Sequence, residues 1–79
     1  MEKGIKLIWD FQGPDALKTA EHHEIHLKEF IQREKLNHEI TGVEQNEELH
    51  AMAFLVVEEA EMIAVRYALM PHRGEWYKF

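Results

Sequence analysis

Three histidines crowd one stretch of the chain: His22, His23 and His26 stand within residues 19–30, TAEHHEIHLKEF. Imidazole is the side chain that exchanges its proton near neutral pH, so this density marks the first place to look for acid–base or metal chemistry. His22 and His26 are four residues apart, a helical spacing at which two imidazoles can share one metal ion. Two ligands do not complete a site, and HEIH at 23–26 lacks the HExxH spacing of a zinc protease. They read as solvated helix histidines, and no metal is expected. His23 differs, because it falls within the apolar stripe of the same run. A partly desolvated imidazole needs a hydrogen-bond partner, as a satisfied core histidine or as a general acid/base beside a pocket. His50, within an apolar strand, is the second candidate for catalysis.

Arg66 also lies in an apolar direction. An arginine there snorkels to the rim, pairs with a buried anion or anchors the carboxylate of a ligand. Asp10 and Glu34 are its candidate internal partners. Trp9 and His72 join Arg66 as candidate ligand-binding residues at a pocket mouth. His72 and Arg73 follow Pro71 at a helix end, where cations also suit the negative end of the dipole. Glu34 cannot serve His23 directly: eleven residues of helix set them roughly 16 Å apart.

The elements that must carry these residues follow from periodicity. Gly4 to Phe11 alternates as a strand, with Ile5, Leu7, Trp9 and Phe11 on the core face and Lys6, Ile8 and Asp10 on the other. Gly13-Pro14-Asp15 opens a helix, capped at Asp15 or later at Thr19, that runs to about Lys35. Ala16, Ala20, His23, Leu27, Phe30, Ile31 and Glu34 share one helix face; His22, Ile25, His26, Glu29 and Arg33 share the opposite one. Asn37 is the expected terminator. Glu39 to Gln45 reads as a short strand whose Gly42 marks a bulge, and Asn46 to Glu48 as a hairpin turn. Leu49 to Val57, LHAMAFLVV, is apolar on both faces and so should be covered on both. Glu58 to Met70 is a second helix, with Met62, Ile63, Val65, Leu69 and Met70 setting its apolar direction. Glu75 to Phe79 forms a last edge strand.

This order is βαββαβ, a ferredoxin-like α+β arrangement: one domain over residues 1–79, an antiparallel sheet and both helices on one face. The open sheet face then calls for a cover. Burying three of its apolar side chains contributes roughly 1.5–3 kcal/mol each. That is large against the ~5–10 kcal/mol of a small domain, so a homodimer through the open face is expected. The pattern resembles the dimeric α+β barrel superfamily, in which two such sheets pack back to back. Within it, HEIHLKEF at 23–30 resembles the first-helix segment of YCII-related proteins. That resemblance implies a small hydrolase or isomerase with a histidine and an aspartate acting together. His26 matches its histidine; no aspartate follows before the second strand, where Asn37 and His38 stand.

Composition bounds the partners. The 79 residues carry 15 acidic against nine basic side chains, a formal charge of −6, and no basic block that would track phosphates. No nucleic-acid partner is expected. Six histidines would bring that charge to zero once protonated, so solubility should fall between about pH 5 and 6. With no cysteine there is no disulfide or thiolate site. No apolar run approaches a membrane span, and a cytoplasmic protein is expected. Two functions fit. One is a dimeric protein binding a small, anionic molecule between helices and sheet, with histidine acid–base chemistry. The alternative is a non-enzymatic dimeric regulatory or protein-interaction module with structural or pH-sensing histidines. No motif names a substrate or a cofactor, or decides whether the chain is an enzyme.

Overall fold

Ile5, Leu7, Trp9 and Phe11 project from one face of the first strand, and the core forms where the helices meet them. A computed structural model describes residues 3–79 as β1 (Lys3–Gln12), α1 (Ala16–Glu34), β2 (Ile40–Glu47), β3 (His50–Glu58), α2 (Glu59–Leu69) and β4 (Arg73–Lys78). The sheet order is β2-β3-β1-β4, antiparallel throughout, as the ferredoxin-like arrangement requires. Ala51, Ala53, Leu55 and Val57 supply the core face of β3, meeting Ala16, Ala20, Leu27, Phe30 and Ile31 of α1 and Val65 of α2. Leu49 lies in the turn instead, and is exposed.

Several local devices differ from those expected. α1 starts at Ala16 with Asp15 at the N-cap, but no side-chain cap bond forms there; Thr19 instead donates its hydroxyl to the Asp15 carbonyl. The helix ends at Lys35, whose left-handed φ of 54° reverses the chain before Asn37 is reached. Gly42 is not a bulge. Its missing Cβ makes room for the Phe54 ring, which would lie 2.5 Å from it, and the ladder slips instead between Gln45 and Glu47. β4 begins at Arg73, two residues earlier than its aromatic content suggests.

The two helices are covered unequally. α1 buries five residues, whereas only Val65 of α2 is buried. Ile63 and Met70, expected in the apolar direction of α2, are 74% and 73% exposed, beside Tyr67 at 86%. α2 is nevertheless firmly started. Glu58 and Glu61 form a reciprocal capping box, each carboxylate accepting the other residue's backbone N–H.

The open sheet face is built differently from the core. Ile8 and Val56 are buried there, while Met52 and Phe54 are half-buried. Charged side chains close over them in pairs. Lys6 reaches Glu44 at 2.9 Å and sits 4.3 Å above the Phe54 ring. His38 meets Glu58, and Asp10 gathers His50 and Arg73.

Candidate functional site

The sheet divides the candidate residues between its two faces. On the helix side, His23 of α1 packs its ring against Trp9 and Phe11 of β1, with centroids 4.9 and 5.5 Å away. Its Nε2 is buried and finds no hydrogen-bond partner among the described residues. Burial pushes the His23 imidazole below its ordinary value, and positive charge on His26 and His72 adds to the effect. His23 is therefore a neutral ring among aromatics. Trp9 is buried as well, and its indole N–H donates to the Leu69 carbonyl at 2.9 Å. That bond ties the end of α2 to β1.

A cleft of about 390 Å³ opens beside this core, between α2 and β4. Ile5, Leu7, Met62 and Trp76 give it apolar walls; Arg66 and His72 stand among its polar lining. Neither internal partner anticipated for Arg66 meets it: Asp10 holds Arg73, and Glu34 lies against Arg33. Among the described residues Arg66 makes no ion pair. His23 and Trp9 do not line this cleft.

His72 carries a second task. Its backbone N–H donates to Ile8, and its Nδ1 accepts the Asp10 backbone N–H at 2.8 Å. The β1–β4 ladder ends at Ile8 and Arg73, so the ring supplies the acceptor that backbone no longer provides. An accepting Nδ1 carries no proton, which puts the proton of the neutral ring on Nε2.

On the open face, three strands converge on one carboxylate. Asp10 Oδ1 lies 2.9 Å from His50 Nε2. Arg73 donates its Nε to Oδ2 at 3.0 Å and its Nη2 to Oδ1 at 3.2 Å, a two-point clamp. The guanidinium also reaches Met52 Sδ at 2.9 Å and Glu75 at 3.5 Å. Its hydrogen bonds hold the Asp10 carboxyl below the usual carboxylate range, against the opposing pull of burial, with His50 lowering it further. Asp10 in turn raises the Arg73 guanidinium. An ionised carboxylate only accepts, so His50 donates to it from Nε2. Its Nδ1 has no hydrogen-bond partner among the described residues.

His23 and His50 thus lie on opposite faces of the sheet and cannot act on one atom. Asp10, expected as a partner of Arg66, and Arg73, read as a cation suited to a helix end, instead complete the His50 cluster. The alternation already placed Asp10 on the open face and His50 with Met52 and Phe54, but strand register was needed to bring them together.

The first-helix histidines stay apart from both places. His22 and His26 stack edge to face at 5.2 Å, and His26 Nδ1 lies 3.3 Å from Glu29. Among the described residues no group of three or more histidine, cysteine or acidic side chains is placed to hold a metal ion. No helix is long and apolar enough to cross a membrane. No family model matches the chain, and no curated protein or solved structure matches it significantly.

Proposed function

We propose that this protein binds a small anionic molecule in the cleft between α2 and β4, and that it works as a homodimer joined through the open sheet faces. The observation that carries the binding reading is Arg66, a guanidinium without an acidic partner among the described residues, at a cleft of about 390 Å³. A planar fork of donors beside apolar walls suits a carboxylate attached to an apolar body. Ile5, Leu7 and Met62 receive the body, Trp76 offers a ring, and His72 adds a polar edge. The acid–base candidates lie elsewhere, so the cleft supports binding rather than turnover.

Calorimetric titration with a panel of small aromatic and aliphatic carboxylates tests this. Arg66→Gln should weaken binding by about tenfold or more, the loss expected for a charge-assisted contact. Carboxylates that bind wild type and Arg66→Gln alike would sink the reading.

The homodimer is supported by half-buried Phe54 and Met52 and by the internal pairing of the charges around them; Ile8 and Val56 of the same face are already buried within one chain. Paired charges lose less on leaving water than isolated ones. Light scattering should give a dimer that Phe54→Glu converts to monomer; a monomeric wild type at micromolar concentration overturns this part alone. A regulatory or interaction module is the second reading. It is favoured by Ile63, Tyr67 and Met70, an exposed apolar stripe on α2.

A further inference from the structure

The cleft between α2 and β4 opens along an edge of the sheet, and the backbone of that edge is unpaired. Building on the anionic-ligand reading of this cleft, we infer that its ligand is the C-terminus of an extended peptide, which adds to β4 as an outer strand and sets its terminal carboxylate on Arg66. β4 is the last strand in the order β2-β3-β1-β4, so alternate residues of Arg73–Lys78 turn their N–H and C=O groups away from β1. Among the described residues no backbone hydrogen bond reaches those groups. The opposite edge is guarded: β2 carries a register slip between Gln45 and Glu47 and a row of polar side chains from Glu44 to Glu47. β4 pairs without a slip and presents Trp76, 70% exposed. The cleft lies on the helix side of the sheet, away from the face proposed to meet a second copy.

Side chains around the edge fix what the strand must carry. Gly74 and Trp76 stand opposite Leu7 and Ile5 in the ladder, so they share the helix side of the sheet with them. A Cβ at Gly74 would lie 3.3 Å from Ile5 Cγ2 and 3.6 Å from Leu7 Cδ2, so its absence keeps the apolar floor of the cleft open. A peptide side chain on the helix side therefore meets Ile5, Leu7 and Met62, between Trp76 and α2. Direction follows from Arg66, which lines the cleft with Pro71, His72 and Arg73, where β4 begins. A strand antiparallel to β4 ends there, which brings its terminal carboxylate to the guanidinium. Its earlier residues run past Trp76 to Lys3 and Lys78, which line a further hollow with Trp76 and Tyr77. Like Arg66, neither lysine makes an ion pair among the described residues. On a chain of formal charge −6, these unpaired cations along one edge favour an acidic partner. The main chain then supplies affinity and the cleft supplies selectivity, the division of labour in strand addition.

The probe is the peptide Asp-Thr-Val-Thr-Phe with fluorescein on its N-terminus and a free C-terminal carboxylate, followed by fluorescence anisotropy. N-acetylphenylalanine, competing for the same place, is the control that has the carboxylate but no strand. The peptide should bind at least about tenfold more tightly than this control. Amidation of the peptide C-terminus and Arg66→Gln should each weaken it by about tenfold. Gly74→Val, which fills the floor of the cleft with a residue that strands favour, should weaken it too. N-methylation of the peptide backbone at alternate positions should cost about tenfold in one register and little in the other, since only one set of amides faces β4. In wild type the amide protons of β4 should gain protection from exchange as the peptide saturates, a measurement that needs no variant. A peptide that binds no more tightly than N-acetylphenylalanine overturns the strand and leaves the small-anion reading standing. Binding of neither removes both. Protection of β4 that grows with protein concentration alone would give the edge to a second copy and overturn the inference.

Discussion

Two histidine–carboxylate pairs lie at opposite ends of the open sheet face, and they are alike in distance and exposure. His50 meets Asp10 at 2.9 Å, with side chains 20% and 24% exposed; His38 meets Glu58 at 2.9 Å, at 28% and 26%. What differs is the backing of each. Glu58 is also the N-cap of α2, and its carboxylate accepts the N–H of Glu61 in the capping box. His38 is stacked on Phe79 at 4.3 Å, and Phe79 in turn lies over Gly4, which has no Cβ to obstruct it. Every contact of this pair fastens one element to another: the approach to β2, the start of α2 and the end of the chain. Asp10 starts no helix and closes no turn. Its carboxylate is held by Arg73 and spends its remaining capacity on the orientation of one imidazole. Equal geometry therefore does not imply equal purpose; what each partner is additionally required to do separates a staple from a site.

The largest effect expected from this contrast is on stability. Glu58→Ala removes the cap of α2 and the partner of His38 together. Loss of an N-cap alone costs about 0.5–2 kcal/mol, and α2 has little burial to compensate, since Val65 is its only buried residue. Asp10→Asn keeps the size of the side chain and part of its hydrogen bonding, so its denaturation midpoint should move less while the fixed orientation of the His50 ring is lost. Urea unfolding of the two variants side by side decides the matter. If Asp10→Asn unfolds as readily as Glu58→Ala, the His50 cluster is a second staple and the contrast fails.

How far the sequence reached is explained by the range of the forces involved. Alternation along β1 reads local geometry, and it correctly separated Leu7 and Trp9 from Lys6, Ile8 and Asp10. Helical periodicity put His23 among the apolar residues of α1, where it does meet Trp9 and Phe11. Register is not local. Asp10 and His50 are 40 residues apart, and Asp10 and Arg73 are 63 apart; each meeting depends on which rung of one strand faces which rung of the next. Arg73 was further hidden because it precedes the aromatic run that announces β4. The cover of α2 was illegible for another reason. An apolar direction tells which side of a helix avoids water, but not whether enough protein is there to meet it, and Ile63 and Met70 go uncovered within one chain.

A smaller effect sharpens the contrast from the side of the histidine that has no carboxylate. His23 sits between Trp9 and Phe11 with Nε2 unpartnered, and burial lowers its pKa from the ordinary 6.5. The sign follows from which state binds the proton first. The unfolded chain protonates His23 near 6.5, whereas the folded protein resists until lower pH. Stability contributed by the neutral ring is therefore fully present above that value and is lost as pH falls from it through the folded pKa. Positive charge on His26 and His72 increases the penalty in acid, because both act on the same ring. The ring is only partly buried, so the loss should be smaller than that from removing the Glu58 cap. The check is to compare urea midpoints of wild type and His23→Gln at about pH 8 and about pH 5, either side of the imidazole range. Wild type should lose more stability between the two than the variant does. Equal losses would mean that the proton taken up on unfolding belongs to another group, and His23 would be an inert part of the aromatic core.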